Sequence, residues 1–147
     1  MIEVNARKHW MSLLAKADPQ DLAALWGDLS LETAFTYLRA PEVGGVMVRG
    51  RAGATGAPFN LGEMTVTRCS VQVQGGEVGH AYVQGRDKTH ATQAAVIDAL
   101  MQTDLADRLR DSVLEPLSDK HEQARAARAA RAAATKVDFF TMVRGED

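Results

Sequence analysis

The residues whose types and spacing could do chemistry gather in the middle third of the chain. Arg51-Ala-Gly53-Ala-Thr55-Gly56-Ala-Pro58 is a glycine-rich loop, and successive backbone amides without bulky side chains can wrap an anion. No Gly-Lys-Ser/Thr follows it and no helix pattern starts there, so it is not a Walker-type phosphate loop. A long hairpin connection needing glycine for its turns is the plainer reading, preferred on residue chemistry alone. Gly85-Arg86-Asp87-Lys88 stands where a strand pattern feeds a helix pattern. Free amides and the positive end of the helix dipole favour an anion at such a point, and Arg86 and Lys88 are placed to clamp it. The plainer alternative is a capped helix with two solvated cations. Arg51, Gly53, Thr55, Gly56, Arg86 and Lys88 are therefore the anion-binding candidates, provided the loop and the helix start share one end of a sheet.

His80 and His90 are the tempting acid–base or metal pair. His80 falls in a strand pattern and His90 in the first turn of the following helix. No third nitrogen or carboxylate stands at ligand spacing, and His9 and His121 belong to other helices. Hydrogen-bonded structural or interface histidines are the expectation, with no metal. Cys69 is the single cysteine, which rules out a disulfide or a thiolate cluster within one chain. Its neighbour Arg68 points to the opposite face of a strand and does little to activate the thiol. No serine sits in a nucleophile elbow and no carboxylate pair has acid–base spacing. The chain is expected to hold no catalytic set and no cofactor of its own.

The elements that must position these groups follow from periodicity. Trp10, Leu13, Leu14 and Ala17 recur at helical spacing, predicting a helix over residues 6–17. Asp18-Pro19 then caps and opens a second helix, with Leu22, Leu25 and Trp26 as its apolar stripe and Gly27 as its stop. From Phe35 the period changes to that of a strand. Pro41 and Gly44-Gly45 predict a turn and Val46–Arg49 a returning strand. Residues 64–73 are the longest strand signal, with a slip of apolar phase between Val66 and Cys69 that predicts a bulge or a change of buried face. Gly75-Gly76 closes a hairpin to residues 80–84. Asp87 caps a helix from 88 to about 103, whose Ala91, Ala94, Ala95, Ile97 and Met101 allow close approach to a sheet. A helix over 105–113 follows, Pro116 breaks it, and Ser118 caps a further one. Helices, then strands joined by short turns, then helices predict an α+β fold. About four antiparallel strands pack with N-terminal and C-terminal helices, because parallel neighbours need longer crossovers.

The last third differs in composition. Residues 119–136 hold five cations against two acids, and Gln123–Ala134 repeats Ala-Ala-Arg with Arg125, Arg128 and Arg131. Such a run is strongly helix-forming but buries little. It reads as a solvated helix leading to an apolar tail, Val137, Phe139, Phe140, Met142 and Val143. Free termini are normally polar, so these five are the partner-binding candidates of an extended C-terminal docking arm that adds an edge strand to a partner sheet. The expected division is a core domain over 1–117 and a basic helix with its arm over 118–147, not an independent domain. With 147 residues, a formal charge of −2 and no long apolar run, the chain is expected to be cytoplasmic, without attachment to nucleic acid or membrane. Two rivals stay open: a free-standing enzyme acting on a nucleotide or phosphate ester through Arg51, Arg86 and Lys88, and an RNA-binding module using the arginine stripe.

Three blocks of sequence resemble the PhnG family, subunits of the bacterial carbon–phosphorus lyase core complex. The first is His9-Trp10-Met11-Ser12 with Leu14-Ala15. The second runs from the glycine loop through Gly62-Glu63 and Thr67-Arg68 to Tyr82-Val83-Gln84-Gly85-Arg86-Asp87-Lys88, His90-Ala91 and Ile97-Asp98. The third is Val137-Asp-Phe139-Phe140-Thr141-Met142-Val143-Arg144-Gly145. Ala54 stands where the family commonly has a second glycine, and the Arg/Ala repeat matches no motif of the family. The resemblance implies a hetero-oligomer with PhnH, PhnI and PhnJ, two copies each. With PhnH, PhnI and the ATP-binding PhnL, it implies a part in transferring the ribose triphosphate of ATP to methylphosphonate, with release of adenine. ATP is then used by the complex, while this chain alone carries no complete active site.

Overall fold

A computed structural model describes the backbone of residues 4–51, 56 and 58–145, and the side chains of residues 4–50, 56 and 61–135. Helix α1, Val4–Lys16, buries Trp10 and Leu14. Helix α2, Pro19–Asp28, opens on Asp18, whose carboxylate accepts from the Gln20 amide at 2.8 Å. Gly27 does not stop it. Strands β1 (Phe35–Arg51), β2 (Pro58–Val73) and β3 (Val78–Gln84) form one antiparallel sheet in the order β1-β2-β3. Helix α3, Lys88–Leu100, covers one face of that sheet.

The close fit of α3 to the sheet has a local cause. Ala91, Ala94, Ala95 and Ala99 are all buried on the helix, and Gly79 lies beneath it. A Cβ added at Gly79 would stand 2.6 Å from the Ala99 amide nitrogen and would collide with the Ala95 carbonyl. Small residues on both partners bring backbone to backbone. Val71, Val83, Cys69 and Ile97 fill the space beside that contact, with Leu14 and Leu22 from the first two helices and Leu109 and Val113 from beyond α3.

The sheet has three strands among the described residues, not four. Pro41 and Gly44-Gly45 make no turn, and β1 runs through them for 17 residues. Pro41 falls in the register break between the pairs Arg39/Ser70 and Glu42/Arg68, on an edge strand, where its missing N–H removes no ladder bond. Gly44 and Gly45 are not among the glycines with positive φ. The expected change of buried face in β2 is present: Val66 and Thr67 are both buried, and burial then alternates through Cys69, Val71 and Val73. The ladder to β3 is unbroken there, and the register shifts lie on β1 instead.

The C-terminal third also departs from expectation. After α4 (Ala106–Leu109), a π-helical turn over Arg110–Leu114 leads directly into α5, Glu115–Gly145. Pro116 does not break the chain. It sits in the first turn of α5, just after the wider turn in which the Glu115 amide reaches the Arg110 carbonyl, where a missing donor is tolerated. Ser118 therefore caps nothing. The tail is not an extended arm: the backbone of residues 137–143 continues α5 as helix.

Candidate functional site

The turn into α3 is built as a capped helix start. Gly85 has φ +93°, its amide donates to the Thr65 carbonyl at 2.9 Å, and its carbonyl accepts from the Thr67 hydroxyl at 2.8 Å. The Asp87 carboxylate accepts from the His90 amide at 2.9 Å, so a protein anion already occupies the positive end of the dipole. Arg86 and Lys88 are exposed beside it. Arg86 shares a shallow cleft with Glu63, Thr65, Val43, Gly44 and Gly45.

Arg51 lies elsewhere. β3 ends where Gln84 pairs with Val66, while β1 and β2 continue together as a two-stranded ribbon to the pair Arg51/Pro58. Eight residues of strand separate Val66 from Pro58, roughly 25 Å at the usual rise. Arg51 and the α3 start thus share an end of the sheet without sharing a site along the backbone. Gly53 and Thr55 lie outside the described residues, and Gly56 belongs to the connection beyond the ribbon.

The two histidines lie on opposite sides of the sheet. His80 is on the face away from α3, its Nδ1 2.9 Å from the Ser70 hydroxyl. His90 is buried beneath the sheet, its Nε2 2.7 Å from the Leu14 carbonyl; a carbonyl only accepts, so Nε2 carries the proton. Among the described residues no group of three His, Cys, Asp or Glu is placed to hold a metal ion. Burial pushes the Cys69 thiol above its ordinary pKa, partly offset by a hydrogen bond with Thr92, which makes it a poor nucleophile near neutrality.

The densest polar cluster involves a residue to which sequence reasoning assigned no role. Asp98 is fully buried and accepts four hydrogen bonds. They come from Arg7 Nε at 3.2 Å, Arg7 Nη2 at 2.9 Å, Trp10 Nε1 at 2.7 Å and the His80 amide at 2.8 Å. The hydrogen bond to Asp98 is also the main reason the Arg7 pKa is raised. The carboxylate ties α1, β3 and α3 into one unit. Its sequence signal was a charge within the apolar face of Ala94, Ala95, Ile97 and Met101, which demands partners. A second cluster lies on the helix-free face of the sheet. There Arg68 stacks over Tyr82 at 5.9 Å and approaches Glu42, which also approaches Arg39.

Two segments project from this frame. One is the ribbon, with Met47 at 54% and Leu61 at 62% exposure. The other is α5, whose residues 119–135 are all exposed. The partner-binding candidates Val137, Phe139, Phe140, Met142 and Val143 follow on the helical backbone.

Fold and site together define an α+β domain whose buried Asp98 carboxylate is fully bonded within the chain, and which carries two segments its own core does not cover. The sequence matches the family model described as phosphonate metabolism protein PhnG over residues 5–145, and the chain belongs to that family. It is 42% identical over 144 residues to the alpha-D-ribose 1-methylphosphonate 5-triphosphate synthase subunit PhnG of Rhizobium meliloti (strain 1021). The match covers 98% of this chain and 92% of that relative.

Proposed function

We propose that the chain is a subunit of an alpha-D-ribose 1-methylphosphonate 5-triphosphate synthase and acts within a hetero-oligomer. The observation that carries this is the near full-length match to a relative bearing that name. In the reaction, a phosphonate oxygen bonds to C1′ of ATP as the bond to adenine breaks. The other subunits supply the reacting groups and bind ATP, and this chain supplies geometry. PhnH-, PhnI- and PhnJ-type subunits, two copies each, are the partners, with PhnL joining for ATP, and the assembly works in the cytoplasm. Among the described residues no helix is long and apolar enough to cross a membrane. Arg86 and Lys88, exposed beside a capped helix start, remain the groups of this chain best placed to meet a phosphate from outside.

Two features support an assembling role. Isolated two-stranded ribbons are marginal in water, and this one exposes large apolar groups. The tail then extends α5, and at helical periodicity Phe139, Met142 and Val143 stand at i, i+3 and i+4, the spacing of an anchor helix laid in a groove. The test is co-expression of the full chain, and of a chain ending at Lys136, with the partner subunits. The full chain should co-purify and support adenine release from ATP and methylphosphonate. The truncated chain should fold and fail to assemble. Adenine release by the purified full chain alone would refute the reading.

A further inference from the structure

We infer that the projecting part of α5 docks on an acidic surface of a partner protein through Arg125, Arg128 and Arg131. This rests on the assembly reading above and names the chemistry of one contact within it. Residues 123–135 hold three arginines and no acidic residue, and every one of these residues is exposed. Ion pairs among the described residues join Arg7, Arg39, Arg68, Arg110 and Lys120 to carboxylates, and these three arginines take part in none.

Geometry sets the form of the contact. A step of three residues advances about 4.5 Å and falls about 60° short of a full turn, so the arginines make a slanting row along an i, i+3 ridge. Alanines fill the positions between them, which lets a second helix or strand approach closely along the ridge. A row of guanidinium groups on a rigid rod is complementary to a row of carboxylates, each able to take two parallel hydrogen bonds.

A protein fits better than a nucleic acid for two reasons. No Phe, Tyr or Trp stands between 119 and 135 to stack on bases. The second reason is where the helix leads. The early part of α5 lines a cleft with Ala6, His9 and Trp10 of α1, and its next turns, as far as Arg128, line a second with Lys16, Ala17, Asp18 and Asp21, an acidic pair that Arg128 faces at the cleft without an ion pair. It therefore runs along α1 in the same direction. The last turn of α1 meets the first turn of α3 through Leu14 and His90, which is the end of the sheet where the ribbon leaves. The arginines thus lie toward the same end of the domain as the ribbon, whose Met47 and Leu61 are exposed apolar groups that a protein surface covers and a nucleic acid does not.

The test compares the full chain with R125A/R128A/R131A and R125E/R128E/R131E variants, each co-expressed with the partner subunits. Complex formation is read after nuclease treatment at about 0.1 M and about 0.5 M salt, where screening lengths differ about twofold. Alanine and glutamate form helix at least about as well as arginine, so circular dichroism should match the parent. The glutamate variant should bind at least about tenfold more weakly at low salt, the alanine variant less severely, and the parent's affinity should fall as salt rises. Parent-like assembly of both variants would overturn the inference and leave the assembly reading standing. Failure of the parent itself to assemble would overturn the assembly reading and this inference with it. Assembly lost on nuclease treatment, with salt-dependent RNA binding by the parent, would assign the stripe to nucleic acid.

Discussion

Replacing Asp98 should be the most damaging single change in the core, and its size can be worked from the contacts. The side chain is fully buried and accepts from two nitrogens of Arg7, from Trp10 Nε1 and from the His80 amide. Asp98→Ala leaves the Trp10 and His80 donors unpaired in the interior, at about 1–3 kcal/mol each. Arg7 is 34% exposed and recovers part of its loss in water, so the total expected is about 3–5 kcal/mol. Asp98→Asn is not conservative here. Each carboxylate oxygen accepts two hydrogen bonds, so an amide nitrogen in either place sets donor against donors. Urea unfolding followed by the fluorescence of Trp10 and Trp26 and by circular dichroism gives both values. Arg7→Met should cost less than Asp98→Ala, and the double variant less than the sum of the two, because the groups share one network. A loss under about 1 kcal/mol for both Asp98 variants would show that the carboxylate does not hold the three elements together.

Two further outcomes follow from the packing. Gly79→Val should destabilise by about 3 kcal/mol or more, read as a lower urea midpoint, because its Cβ meets the α3 backbone instead of a movable side chain. Cys69 should resist alkylation in the native chain and label rapidly in urea at the same pH. Its folded pKa is raised from the ordinary value of 9.0, so the folded state holds the proton more tightly. The thiol's contribution to stability is therefore intact below that value and is lost as pH rises above it. A Cys69→Ala variant should show less of that alkaline loss in a urea titration.

Local chemistry was legible in the sequence wherever one residue decides the outcome with its immediate neighbours. Asp18 and Asp87 cap the helices they precede, the Gly75-Gly76 hairpin joins β2 to β3, and the small face of α3 packs on the sheet. Where one residue type suits two structures, the tertiary setting decided. Pro41 and Gly44-Gly45 suit a turn, but on an edge strand with a register break they cost little, and β1 passes through them. Pro116 is a helix breaker in an interior, yet it lies in the first turn after a widened one and is tolerated. The Asp98 cluster was out of reach for a different reason. Its partners, Arg7, Trp10 and the His80 amide, are brought together only by the fold, since they lie 91, 88 and 18 residues away along the chain. The anion candidates divided likewise: whether they share an end of the sheet was not readable from the sequence, and the length of ribbon between them depended on β1 not turning.

That ribbon bears on why the chain belongs in an assembly. A two-stranded hairpin gains its ladder bonds only by giving up hydration of the same groups, and it lacks a third strand or helix to bury its apolar side chains. In the lone domain its outer half therefore lies at the low end of local stability. The projecting half of α5 differs: alanine and arginine hold it helical by propensity, but it buries nothing. Both leave the domain at the end marked by the first turn of α3. A surface offered to that end would gain apolar area from the ribbon and charge complementarity from the helix in one binding event. The interior of the domain stays closed meanwhile, its buried carboxylate already fully bonded to Arg7, Trp10 and His80. On the proposed reading, a chain built this way contributes contact and orientation while other subunits hold the reacting atoms.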